Sequence, residues 1–175
     1  MKIYISGGCK NGKSTLAQTL AKNLALGGEL YYIATMEPHD KEDEARIARH
    51  VKEREGWGFI TIECPREISS CFDKLDGEGT VLLDSVTALM QNEMFKPPEY
   101  VMDKAAPERV TEGLLELGRR VKNIVYVSDY IYSDAALYDE ITEGYRRGLA
   151  YADRLLAKDC DRVAELCAGN VTWHK

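Results

Sequence analysis

At 175 residues, 45% hydrophobic and 30% charged, the chain has the size and composition of one globular domain able to bury a core. A net charge of −6 works against a general nucleic-acid or membrane-surface partner, since both ask for a basic face. No apolar run approaches the roughly 18 residues of a membrane span, and five cysteines without a C-x-x-C pair read as free thiols in a reducing cytoplasm.

In chain order, KIYIS (2–6) predicts a short strand running straight into a glycine-rich turn, with no signal-peptide pattern. STLAQTLAKNLAL (14–26) predicts a helix with Leu16, Leu20 and Leu24 on one face and Ala17, Ala21 and Ala25 beside them. LYYIAT (30–35) predicts a second strand. A helix follows from Asp40, with Asp40 and Asp43 resembling a capping box and Ile47 and Val51 anchoring its apolar side. FITIE (59–63), TVLLD (80–84) and NIVYVSD (123–129) predict further strands, a weak helix and the turn DGEG lying between the first two. SVTALMQNEMF (85–95) and the segment opened by Pro107 predict helices, with irregular chain between them to about residue 105. A helix-rich stretch over about 134–158 and two short strands around Ala168-Gly169-Asn170 close the pattern. Buried strands alternating with helices imply a mostly parallel sheet covered on both faces, with an antiparallel C-terminal hairpin, in a single α/β domain over residues 1–175.

The first strand–turn–helix carries Gly7-Gly8-Cys9-Lys10-Asn11-Gly12-Lys13-Ser14, a G-x-x-x-x-G-K-S phosphate loop in the context such a loop requires. Glycines let backbone N–H groups curl around phosphate oxygens, and the helix N-terminus adds its positive end. Lys13 is expected to reach the β- and γ-phosphates of a nucleoside triphosphate and Ser14 to ligate Mg²⁺, with Thr15 extending the nucleotide-binding run. Asp84 ends its apolar strand where an acid would join the Mg²⁺ shell beside Ser14, directly or through water; a simple strand-end cap is the alternative.

Arg46, His50 and Arg54 recur at intervals of four, so a continuous helix would project them from one side. A histidine between two arginines suits phosphate chemistry, the cations gripping the anion and the imidazole attacking phosphorus. Spacing alone leaves open an exposed helix whose arginines pair with nearby acids such as Glu42 and Glu53.

GGCKNGKS, YIATMEPHDKEDEARIARHVKEREGW, TIECP and LLDSVTALMQNEMF, taken in order and spacing, resemble the adenosylcobinamide kinase/adenosylcobinamide-phosphate guanylyltransferase family of cobalamin synthesis. The resemblance is close over about the first 95 residues, and R-I-x-x-H-x-x-x-R is far more specific than the phosphate loop. It implies a RecA-like P-loop fold, a homotrimer and a bifunctional enzyme. The kinase would phosphorylate adenosylcobinamide with ATP or GTP. The transferase would carry GMP from GTP, through a covalent histidine–GMP, to adenosylcobinamide phosphate, giving adenosylcobinamide-GDP. His50 matches the guanylylated histidine, and Arg46 with Arg54 would support it by stabilising charge that develops on the α-phosphate. Thr35, Met36, Glu37, Val51, Lys52, Glu53, Arg54, Glu63 and Asp84 match nucleotide-contacting positions. Covalent catalysis is chemically reasonable, because a phosphoramidate keeps much of the activation of the anhydride and a neutral imidazole is available at pH 7.

The second half departs from that pattern. Ser128-Asp129-Tyr130 stand where the family usually carries T-N-E, Arg147 replaces the acid of F-R-D, and Asp153 stands near a usual Asn. Tyr130, Tyr132, Tyr138, Tyr145 and Tyr151 gather in this part, either as a surface for a flat corrin ring or as ordinary packing. Two other functions fit the same phosphate loop: a small-molecule kinase of different specificity in which His50 is incidental, and a nucleotide-responsive protein without turnover.

Overall fold

The computed structural model describes residues 1–38 and 41–175; within the helix at 41–53, the side chains of Glu42, Glu44, Arg46, His50 and Glu53 are outside the described set. Among the described residues the strands are β1 (Lys2–Gly7), β2 (Leu30–Ala34), β3 (Ile60–Glu63), β4 (Thr80–Asp84), β5 (Asn123–Val127), β6 (Arg162–Cys167) and β7 (Asn170–Trp173). They form one sheet in the order β3-β2-β4-β5-β1-β6-β7, parallel throughout except for the β6–β7 hairpin. The helices are α1 (Lys13–Ala25), α2 (Lys41–Glu53), α3 (Val86–Met94), α4 (Ala106–Arg120) and α5 (Glu140–Asp159), with a 3₁₀ stretch at Ile68–Lys74. This is the expected α/β architecture.

Parallel strands covered on both faces need apolar side chains on both, which is why TVLLD and NIVYV are near-continuous apolar runs. Alternation then sorts them. Ile3, Ile5, Tyr32, Leu82 and Val125 pack under α1, while Tyr4, Ile33, Leu83, Ile124 and Tyr126 pack under α3, α4 and α5. Pro107 sits in the first turn of α4, as expected. The closing hairpin turns through Ala168 and Gly169, both left-handed at φ +48° and +78°, the geometry that a two-residue turn between twisted strands requires.

Three expectations shift. In α1 the row against the sheet is Ala17 and Ala21, both fully buried, with Leu16, Leu20 and Leu24 only half-buried at its sides. Side chains that end at Cβ let the helix axis approach the strands, and the leucines then splay over the flanks. Val51 is 54% exposed rather than an apolar anchor, and Ile47 is half-buried. The helix expected from about residue 134 begins at Glu140, because the Asp139 carboxylate accepts from the N–H groups of Ile141 and Thr142 and fixes the start there. The capping box proposed for Asp40 lies outside the described residues.

Candidate functional site

In this topology β1, β2, β3, β4 and β5 all end at one edge of the sheet, and the loops leaving their carboxyl ends bring distant residues together. The phosphate loop leaves β1 there. Gly7 has no room for a side chain, since a Cβ would sit 2.5 Å from the carbonyl oxygen of Leu166 on β6. Asn11 donates its Nδ2 to that same oxygen at 2.5 Å, tying the loop to the neighbouring strand. Gly12 caps α1 at φ +95°, a conformation that side chains disfavour. The helix opens with neither a side-chain cap nor an acid in its first turn. Its first N–H groups and the positive end of its dipole are therefore available to an anion.

Lys13 is buried at 6% exposure and folds back over the loop. Its Nζ donates to the Gly8 carbonyl at 2.6 Å and lies 2.6 Å from Asp129 Oδ1. Asp129, two residues beyond β5, is held by a hydrogen bond from its N–H to Thr87 Oγ1 at 2.8 Å. Asp84 ends β4, and its Oδ2 accepts from Tyr32 Oη at 3.0 Å. Ser14 and Asp84 are both half-buried hard oxygen donors. That donor set fits a magnesium ion completed by phosphates and water, which does not require a closed protein cage. Among the described residues no cluster of three or more His, Cys, Asp or Glu side chains forms such a cage.

Thr35 follows β2 and is fully buried. Its hydroxyl accepts from Ser85 N and donates to Ser85 O, both at 2.7 Å, across a cis Asp84–Ser85 peptide. Asn92 Nδ2 reaches Thr35 O at 2.8 Å and Pro65 O at 2.9 Å. Thr35 thus clamps the ends of β2 and β4 and positions Asp84. Met36 is half-buried, and Glu37 accepts two bonds from the Arg66 guanidinium at 2.7 and 2.5 Å. Glu63 is exposed at the carboxyl end of β3, beside Ala34.

The stripe expected through Arg46, His50 and Arg54 does not run its full length as one helix. Arg46 and His50 lie on α2, whose side chains at those positions are outside the described residues, but α2 ends at Glu53. Arg54 occupies the following turn, its N–H donating to Val51 O, and is 7% exposed. Its guanidinium lies 3.5 Å over the ring of Tyr32, and its Nη1 has no partner among the described residues. Val51, Lys52 and Arg54 line a cleft of about 640 Å³ with Gly56, Gly58, Phe59 and Thr61. Arg54 on Tyr32, and Tyr32 on Asp84, connect this cleft to the phosphate-loop edge in two contacts.

Sequence reading placed Lys13, Ser14, Asp84 and Arg54 at the site but missed Tyr32, Asn92, Arg66 and the pairing of Asp129 with Lys13. A signal existed for Asp129, which follows a buried strand just as Asp84 ends one. The five tyrosines of the second half do not form one surface. Tyr145 packs on Phe95 and donates to Thr87 O, Tyr138 meets Asp134 and Arg146, and Tyr151 lies by Arg154.

Residues 3–172 match the model of a family described as cobinamide kinase / cobinamide phosphate guanyltransferase. The chain is 29% identical over 171 residues to the bifunctional adenosylcobalamin biosynthesis protein CobP of Pseudomonas aeruginosa, covering 97% of this chain and 94% of that one. Among solved structures it resembles the flagellar accessory protein FlaH of Methanocaldococcus jannaschii, with a TM-score of 0.51, 13% identity and coverage of 99% of this chain and 77% of that one. It also resembles a DnaB-like replicative helicase, with a TM-score of 0.53, 12% identity and coverage of 93% and 46%. At such identities these two show the P-loop NTPase fold. Among the described residues no helix is long and apolar enough to cross a membrane.

Proposed function

This chain belongs to the cobinamide kinase / cobinamide phosphate guanyltransferase family, and on that premise we propose that it carries out both reactions with a cobinamide acceptor. In the first, the acceptor hydroxyl attacks the γ-phosphorus of ATP or GTP, the bond to the β-phosphate oxygen breaks, and the nucleoside diphosphate leaves. In the second, a ring nitrogen of His50 attacks the α-phosphorus of GTP, a P–N bond forms, and pyrophosphate leaves. The phosphate oxygen of adenosylcobinamide phosphate then displaces His50, giving adenosylcobinamide-GDP and restoring the imidazole.

The reading is carried by the occurrence, in one family-matched chain, of an intact phosphate loop at the sheet edge and a helix bearing His50 beside a cleft. Lys13, the loop N–H groups from Gly8 to Thr15 and the open end of α1 would hold the β- and γ-phosphates. Ser14 and Asp84 would hold Mg²⁺, which when bound offsets phosphate charge. Arg54, stacked on Tyr32 with an Nη1 that has no partner among the described residues, would support an anion in the cleft beside Val51 and Lys52, and Arg46 would add a second cation. Thr35, Met36, Glu37 and Glu63 border the nucleotide, Thr35 acting through Ser85. A homotrimer in the cytoplasm completes the proposal.

Incubation with α-labelled GTP and Mg²⁺ tests it. Acid-labile label on the wild-type chain and none on His50→Ala is the expected result. An unlabelled wild type that still phosphorylates an acceptor would leave a P-loop kinase only. Triphosphate binding without turnover on any corrinoid would remove both activities.

A further inference from the structure

A cavity of about 570 Å³ opens on the α5 face of the sheet, between β1, β6 and α5. Tyr4 and Asp153, each 3% exposed, line it together with Ser6, the residue before the phosphate loop. Tyr4 Oη, Ser6 Oγ and Asp153 Oδ1 are all closed off from solvent, and none has a hydrogen-bond partner among the described residues. Tyr4 Oη lies close to both Asp153 and Ser6, so the three oxygens face one another as well as the cavity. The other Asp153 oxygen accepts from Tyr132 Oη at 2.9 Å. A buried polar atom left unsatisfied costs about 1–3 kcal/mol, so three of them in one cavity are poor packing and good recognition.

Their chemistry selects a ligand group. Asp153 Oδ1 accepts, while the two hydroxyls can donate, so together they complement a group with N–H donors beside a carbonyl. Ala150, Ala157 and Val163 supply apolar wall beside these atoms, and Arg154, Glu165 and His174 complete the lining. The cavity also adjoins the nucleotide edge twice along the chain. Ser6 precedes Gly7, and Tyr130 in the cavity wall follows Asp129, which touches Lys13.

We propose that this cavity binds a carboxamide side arm of the acceptor, its N–H donating to Asp153 Oδ1 and its carbonyl accepting from Tyr4 or Ser6. The inference rests on the reading above that the acceptor is a cobinamide, whose corrin ring carries carboxamides around its periphery. Asp153 Oδ2 already accepts from Tyr132, so a donor brought by the ligand would meet Oδ1, the oxygen without a partner among the described residues.

Adenosylcobinamide binding to the full chain is measured by calorimetric titration, with GTP affinity and thermal melting in parallel. Tyr4→Phe removes an oxygen that has no partner among the described residues, and Ala150→Phe fills the cavity from α5. The expected result is adenosylcobinamide bound about tenfold or more weakly by Tyr4→Phe, with a melting temperature equal to or above wild type, and no detectable binding by Ala150→Phe. A purely structural Tyr4 would not move the affinity. Wild-type affinity in both variants overturns the cavity assignment and leaves the proposed function standing. A wild type that takes label from GTP yet binds no adenosylcobinamide overturns the cavity and the acceptor together. If Ala150→Phe fails to fold, Tyr4→Phe decides alone.

Discussion

The two faces of the sheet meet their loops with opposite kinds of preparation. On the α1 face the polar groups are mostly matched from within: Lys13 by Gly8 and Asp129, Asp84 by Tyr32. Among the described residues Asn11 Oδ1 and Arg54 Nη1 are left unmatched there, and both belong to residues already expected at the nucleotide. On the α5 face, Tyr4, Ser6 and Asp153 leave oxygens unmet in a cavity. The difference teaches where each ligand's free energy comes from. A triphosphate must replace protein contacts that already exist, whereas a ligand of the cavity meets atoms with nothing to give up.

That contrast can be broken from either side. The largest effect is expected at Lys13. Lys13→Ala should lower triphosphate-dependent turnover by about 10²–10³-fold, read as steady-state rates, because an oriented cation at the phosphates is lost.

Asp153 comes next. Burial raises its carboxyl from 3.8 to about 6, while the hydroxyls of Tyr4 on β1, Ser128 after β5 and Tyr132 on the following loop pull the other way and Asp129 adds to the rise. Arg154 on α5 and Glu165 and His174 from the hairpin side also line the cavity. The folded chain holds the proton more tightly than the unfolded one. The Asp153 contribution is therefore greatest below the unfolded value and is lost as pH rises through about 6. Asp153→Asn should stabilise the protein by on the order of 2 kcal/mol at pH 7.5, with the gain gone near pH 4. Denaturant melts at the two pH values check this; an equal gain at both would break the contrast.

A smaller effect is expected at Asp129, whose carboxylate competes with phosphate for Lys13. Asp129→Asn should tighten triphosphate binding by about threefold to tenfold in an equilibrium titration. Cys9, exposed on the loop, gives the gentlest probe. Bound GTP should slow its alkylation, and equal rates with and without nucleotide would place it away from the phosphates.

What could be read in the sequence follows from locality. The strands were visible because parallel burial demands apolar runs, and the phosphate loop because its glycines and lysine are contiguous. The end of α2 before Arg54 was not visible, because spacing by four holds only while the helix lasts. Nor was the alanine row of α1, since hydrophobicity ranks Leu above Ala and says nothing of how closely a helix approaches a sheet. The cavity was further out of reach. Tyr4, Asp153 and Glu165 meet only because β6 pairs beside β1 and α5 crosses both, and an unsatisfied oxygen is a property of neighbours rather than of a residue.

One contact described above also sets an order in time. Asn11 and Gly7 rest on the carbonyl of Leu166, a residue 155 positions later than Asn11. On the ribosome the phosphate loop is translated well before its seat. A growing chain that has not yet released β6 carries the glycines and the lysine without the strand that shapes them. Nucleotide should therefore begin to associate with the nascent polypeptide only after β6 has emerged and paired beside β1, which makes triphosphate capture follow that pairing rather than nucleate it.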